Sequence, residues 1–96
     1  MLVTSVNIQP VKPNRGLIAF ASVTIDDSLY LGSIAVYTRP DGSHRLLYPT
    51  KKVGDRSMDI FHPINRSSSR QIEEVIFKKC DEIFENDKEK QPRILR

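Results

Sequence analysis

The sequence predicts an α+β fold: a twisted, mostly antiparallel five-stranded sheet with one C-terminal helix on one of its faces. Three observations carry this. Apolar and polar residues alternate through most of the first sixty positions, the period of a half-buried strand. Short clusters of turn formers cut that region into segments, with none of the long crossovers that parallel strands require. After a run of three serines the apolar period changes to three and four residues, which is helical.

The elements follow in order. "LVTSVNIQPV" places Val3, Val6 and Ile8 among polar neighbours and reads as the first strand. "KPNRG", from Lys12 to Gly16, combines Pro, Asn and Gly and predicts the first turn. "LIAFASVTI" is apolar on both faces, with Leu17, Ala19, Ala21, Val23 and Ile25 on one and Ile18, Phe20, Ser22 and Thr24 on the other. That pattern suits a central strand. "DDS" turns the chain into a third strand, "LYLGSIAVYT". "RPDGSH" is a hairpin loop in which proline presets a turn dihedral and Asp-Gly supplies a positive φ. "RLLYP" returns and stops at Pro49. "TKKVGDRS" is expected to be a polar loop, and "MDIFHPI" a short last strand ended by Pro63.

Ile72, Val75, Ile76, Cys80, Ile83 and Phe84 form one apolar stripe of a helix, which should lie on the sheet. Ser67, Ser68 or Ser69 can cap it, and Ser68 with Gln71 has the spacing of a capping box. Glu73 and Glu74 are expected in the first turn, with Lys78 and Lys79 later, as the helix dipole prefers. Residues 1–86 are expected to form a single domain whose helix frays near Asn86 or Asp87. Residues 87–96 are expected to be a mobile C-terminal tail in which Ile94 and Leu95 could dock.

Ninety-six residues suffice for one core and not for two. At this size, pairing with a second copy is an economical way to bury more apolar surface. A hydrophobic share of 39% and a charged share of 28% are those of a globular soluble chain. No run approaches the roughly 18 apolar residues of a membrane span. "MLVTSVNIQP" lacks the basic and apolar regions of a secretory signal, and the lone Cys80 allows no internal disulfide. The cytoplasm is the expected compartment.

The net charge of +3 is unevenly spread. Between Arg39 and Arg70, seven basic residues face three acidic ones; the remainder of the chain holds eight basic against nine acidic. A basic middle third suits a polyanion partner, although a solvated surface explains most clusters of this size.

Nothing in the sequence supports catalysis, and no cofactor or metal is expected. His44 and His62 have no third ligand at metal spacing, and Cys80 sits on the apolar stripe of the helix, where a thiol is inert packing. Phosphate loops, HExxH and GxSxG are absent.

Binding is the alternative. A helix start offers unpaired N–H groups and partial positive charge, to which Ser67, Ser68 and Ser69 add hydroxyls and Arg66 and Arg70 add guanidinium groups. Lys51, Lys52 and Arg56 lie in the loop just before the last strand. The plainer reading is that the serines only cap, the arginines stay solvated and Asp59 neutralises one of them. His62 likewise has two readings: a strand terminator bonded to a nearby carbonyl, or a ring that stacks at a binding surface.

"DIFHPINRSSSRQIEEVI" is more specific than these signals. Asp59, Ile60, His62, Pro63, Ile64, Asn65, Ser67, Ser68 and Arg70 resemble the Asp-Ile-x-His-Pro-Ile-Asn segment and basic helix start of the stage V sporulation protein G family, also called septation protein G. "YPTKK" looks like that family's Met-Pro-Ser-Lys-Arg, and "LIAFASVTIDDSLYLGSIAVY" like its second and third strands. The resemblance covers residues 1 to 85, with Lys52 standing where the family usually carries arginine.

The resemblance implies a non-catalytic bacterial regulator, cytoplasmic, that forms a homodimer through its β-sheet, here through the sheet edges. It implies binding to DNA, and in some members RNA, with influence on septation, sporulation or virulence genes. The family's binding positions, carried across, fall on Lys51, Lys52 and Arg56, and helix-terminus physics extends the expected site to Arg66 and Arg70. The rival expectation is a protein–protein adaptor in cell division whose basic surface meets an acidic partner.

Overall fold

The computed structural model describes residues 1–90, with side chains described through Phe84. Four strands, β1 (Val3–Asn14), β2 (Leu17–Ile25), β3 (Leu29–Thr38) and β4 (His44–Leu47), form an antiparallel meander in that spatial order. Two further strands, β5 (Thr50–Val53) and β6 (Arg56–Asp59), pair only with each other. One helix, α1 (Arg66–Lys90), completes the domain. The α+β class and the antiparallel pairing agree with the sequence reading; the strand count does not, being six in two sheets rather than five in one.

The turns are set by residues that tolerate positive φ. Arg15 and Gly16 (φ 54° and 92°) make a two-residue hairpin turn, so β1 runs further than "KPNRG" suggests. Asp26 and Asp27 (both 51°) make the next turn. The Asp26 carboxylate accepts from the Leu2 N–H at 3.0 Å and the Thr4 hydroxyl accepts from the Asp27 N–H at 3.0 Å, tying the chain start to this corner. In the β3–β4 loop Gly42 is at φ 91°, and Asp41 accepts both the backbone N–H and the hydroxyl of Ser43. Those two bonds, the hydroxyl's first, hold the Asp41 carboxyl below the usual carboxylate range.

The core lies between one sheet face and the helix. Ile8, Ala19, Ala21, Val23, Ile25, Ile34 and Val36 meet Ile72, Ile76 and Cys80, and all are buried. The helix contributes one residue per turn at i, i+4 spacing, as its apolar stripe predicts. Two irregularities modify the alternation. A bulge between Leu17 and Ala19 turns Ile18 onto the core side rather than the outer face assigned to it by strict alternation. A second bulge, on β3 between Leu31 and Ile34, places Ser33 at φ 63°.

The region after Pro49 differs most from expectation. The polar loop "TKKVGDRS" is the β5–β6 hairpin, closed by Gly54 (φ 67°) and Asp55, and the last strand ends at Asp59 instead of running to Ile64. The physical reason is that both faces of this hairpin are exposed, so its residues carry no apolar period. Ile60 donates to the Pro49 carbonyl at 3.0 Å and closes the base of the hairpin, after which residues 60–65 are irregular.

Helix α1 starts at Arg66, and its cap is Asn65, not a serine. The Asn65 side chain accepts from the Ser68 N–H at 2.8 Å and its carbonyl from the Ser69 N–H at 3.1 Å. Gln71 donates to the Ser67 hydroxyl rather than completing a box with Ser68. The earlier start moves Glu73 and Glu74 out of the first turn, which holds no acid. The helix continues to Lys90, past Asn86 and Asp87; Ile94 and Leu95 of the expected tail lie outside the described residues. No helix among the described residues is long and apolar enough to cross a membrane.

Candidate nucleic-acid interface

The β5–β6 register decides how the cations of the hairpin are shared between its faces. Lys51 pairs with Met58 and Val53 with Arg56, while Lys52 pairs with Ser57 and Thr50 with Asp59. Paired residues point to the same side, and neighbours along a strand to opposite sides. Lys51 and Arg56 therefore share one face with Val53 and Met58. Lys52 projects from the other. Of the three hairpin cations predicted from the sequence, the structure brings two together and separates the third.

Among the described residues these cations are unneutralised: no carboxylate lies within ion-pair distance of Lys51, Lys52, Arg56, Arg66 or Arg70. Asp59, expected to compensate an arginine, instead stands 3.3 Å from His62 Nε2. The other ring nitrogen, Nδ1, is 3.0 Å from the Pro63 carbonyl oxygen, so His62 bonds a nearby carbonyl as its plainer reading supposes, while half of the ring stays in solvent. A neutral ring satisfies only one of these two acceptors; a protonated ring satisfies both.

Arg66 and Arg70 lie one helical turn apart and line an open groove of about 510 Å³ with Pro63, Asn65, Ser69 and Glu73. With no acid in the first turn, the positive end of the helix dipole is uncompensated there and two guanidinium groups add to it. Among the described residues, Glu73 is the one carboxylate lining this groove.

The sequence reading missed two places. His44, read as an isolated hairpin histidine, is held between Thr38 Oγ1 (3.1 Å from Nδ1) and Asp81 Oδ1 (3.3 Å from Nε2), with its ring against Phe77 at 5.5 Å. It lines a groove of about 600 Å³ with Ile18 and Phe84. The second is the uncovered face of the meander, where Phe20 and Tyr30 are exposed. The apolar character of both faces of β2 was the available signal. Cys80 is fully buried, and burial, assisted by Asp81, pushes its thiol up to about 11; it is no nucleophile.

An antiparallel meander backed by one long helix, with a cationic hairpin leading into the helix start, defines a small α+β domain. Residues 1–82 match the SpoVG family model, and the chain belongs to that family. It is 38% identical over 86 residues to a protein of Finegoldia magna, covering 88% of this chain and 79% of that one. It is 30% identical over 90 residues to one of Alkaliphilus oremlandii, covering 93% and 96% respectively. Both relatives bear the name "Putative septation protein SpoVG". The family resemblance seen in the sequence alone is thus correct.

Proposed function

We propose that this chain is a non-catalytic cytoplasmic regulator that binds DNA, and RNA as well, as a homodimer, and that it acts in septation, sporulation or related gene expression. The observation that supports this most is the set of unneutralised cations on consecutive elements: Lys51 and Arg56 on one hairpin face, Lys52 on the other, and Arg66 and Arg70 at an acid-free helix start. Phosphate backbones are bound by such charge with little need of base contacts.

Dimerisation through sheet edges is supported by the edges themselves. β1 carries Pro10 and Pro13, which lack N–H donors, whereas β4 and the β5–β6 hairpin carry no proline. A lone two-stranded hairpin is marginal in water. Exposed Val53, Met58, Ile60 and Ile64 give a second copy apolar surface to cover.

The same apolar side chains, set beside cations, favour the second reading, an adaptor in cell division that meets an acidic protein partner. A fluorescence-anisotropy titration with duplex DNA and RNA at two salt concentrations separates the two. On the leading reading the wild type binds at low salt, log affinity falls by about 0.9 per neutralised phosphate for each tenfold rise in salt, and Lys51→Ala/Lys52→Ala binds more weakly. A wild type that binds neither nucleic acid at low salt refutes it. A double variant that binds like the parent removes those two lysines from the site.

A further inference from the structure

The meander has two faces, and only one is covered by the helix. By register, the uncovered face carries Asn7 beside Ser22, and Gln9 beside Phe20. Tyr30 projects from the same face, one row further along, opposite Thr24. Phe20 and Tyr30 are 40% and 70% exposed, and with Asn7, Gln9, Ser22 and Ser33 they line a groove of about 340 Å³. Its width follows from local geometry. Tyr30 and Phe20 sit on rows about four residues, or 13 Å, apart along the strands. The Tyr30 ring, however, leans back over Gly32, where a methyl group would meet ring carbon Cε2 at 3.0 Å. The missing side chain at Gly32 lets the ring lie down towards the Phe20 row and narrows the slot.

The floor of this slot is Ser22. It is only 7% exposed and is the one buried polar residue among those described; its hydroxyl makes no hydrogen bond among them and is still reached by solvent, since Tyr48 Oη is the one fully buried side-chain polar atom left unpaired there. The Asn7 and Gln9 side chains are likewise unbonded among the described residues. A hydroxyl, two amides and two aromatic rings line one space. The charge of this face is also directional. Arg45 is a charged strand residue of this face, paired with Tyr37 at the end where Arg15 turns β1 into β2 and Arg39 leaves β3. The opposite end carries Asp26 and Asp27.

We propose that the slot between Phe20 and Tyr30 holds an unpaired nucleobase, so that this face takes single-stranded nucleic acid, with the phosphates leading away from the Asp26–Asp27 corner towards Arg45 and Arg15. This rests on the nucleic-acid reading above and specifies its ligand. Flat π-surfaces with amide and hydroxyl groups beside them are what stacking and edge recognition of an unpaired base require. A duplex keeps its bases stacked on each other and offers none to the slot. Duplex and single strand would therefore engage different parts of the molecule, the cationic hairpin serving both and the sheet face only the second.

The experiment compares labelled oligo(dT), oligo(rU) and a duplex of equal length against wild type, Tyr30→Ala, Tyr30→Phe and Phe20→Leu by anisotropy, with self-association followed by sedimentation. The expected result is a loss of about tenfold in single-strand affinity for Tyr30→Ala, a smaller loss for Phe20→Leu, retention by Tyr30→Phe, and unchanged duplex binding throughout. Single-strand binding unaffected by Tyr30→Ala and Phe20→Leu overturns the slot and leaves the general reading standing. Absence of binding to all three probes overturns both. A wild-type dimer that Tyr30→Ala converts to monomer assigns the face to a second copy and also overturns the slot.

Discussion

His44 Nε2 lies 3.3 Å from Asp81 Oδ1, joining β4 to the middle of α1 across 37 residues of sequence. The same ring packs on Phe77 and is bonded to Thr38 of β3, so one side chain links the β3–β4 hairpin to the helix in two ways while a third contact holds it within the hairpin. Asp81 is 68% exposed, and a contact so open to water contributes little. Asp81→Ala should cost less than about 1 kcal/mol in a urea titration. His44→Ala, which also removes the aromatic contact, should cost about 0.5–1.5 kcal/mol more.

The helix cap gives a sharper contrast. Asn65→Ala should lower stability by about 1 kcal/mol, since the Ser68 N–H loses its acceptor. Ser68→Ala should be close to neutral, because the Ser68 hydroxyl caps nothing. Equal losses in thermal unfolding would contradict the assignment of the cap.

Alkaline stability follows from two buried groups. Burial pushes the Cys80 thiol from 9.0 up to about 11, with Asp81 adding to it, and the Tyr48 hydroxyl from 10.0 up to about 12, with Glu73 adding to it. Both hold their protons longer in the folded chain than in the unfolded one. The folded state therefore binds more protons above pH 9.0, and stability, full below that, declines as pH rises through about 11 and 12. Urea midpoints measured along this range should fall. At neutral pH, Cys80 should resist iodoacetamide until the chain unfolds.

Tyr48 carries a second consequence. Its hydroxyl is buried without a hydrogen-bond partner, while its ring packs edge-on against Phe61 at 6.0 Å. Tyr48→Phe keeps the ring contact and removes the unsatisfied group. It should raise stability by about 1 kcal/mol and flatten the upper part of the alkaline decline.

The hairpin register predicts which cations act together. Lys51→Ala/Arg56→Ala strips one face, whereas Lys51→Ala/Lys52→Ala takes one charge from each. The first pair should weaken nucleic-acid binding more and lower the salt slope by about 1.8. Equal effects in the anisotropy titration would mean that the ligand wraps both faces.

The meander was legible in the sequence because residues 3 to 38 pair an apolar alternation with turn residues that each have a steric reason to be there. The β5–β6 hairpin was not. Thr50–Val53 and Arg56–Asp59 bury neither face, and a strand with two wet faces has no period to read. Asn65 was hidden among three equally good capping serines; the helix start, not side-chain preference, decides between them. The cations of the candidate site were visible as a charge excess, but the separation of Lys51 from Lys52 depends on pairing. The His44 cluster and the Phe20–Tyr30 slot join residues that only the folded chain brings together.

All eight residues of β5 and β6 are exposed, and the hairpin packs on no other strand or on the helix to any extent comparable with its own pairing. Substitutions there perturb little of what holds the domain together. The charge and reach of this arm can therefore be rewritten by substitution while the body beneath it stays folded.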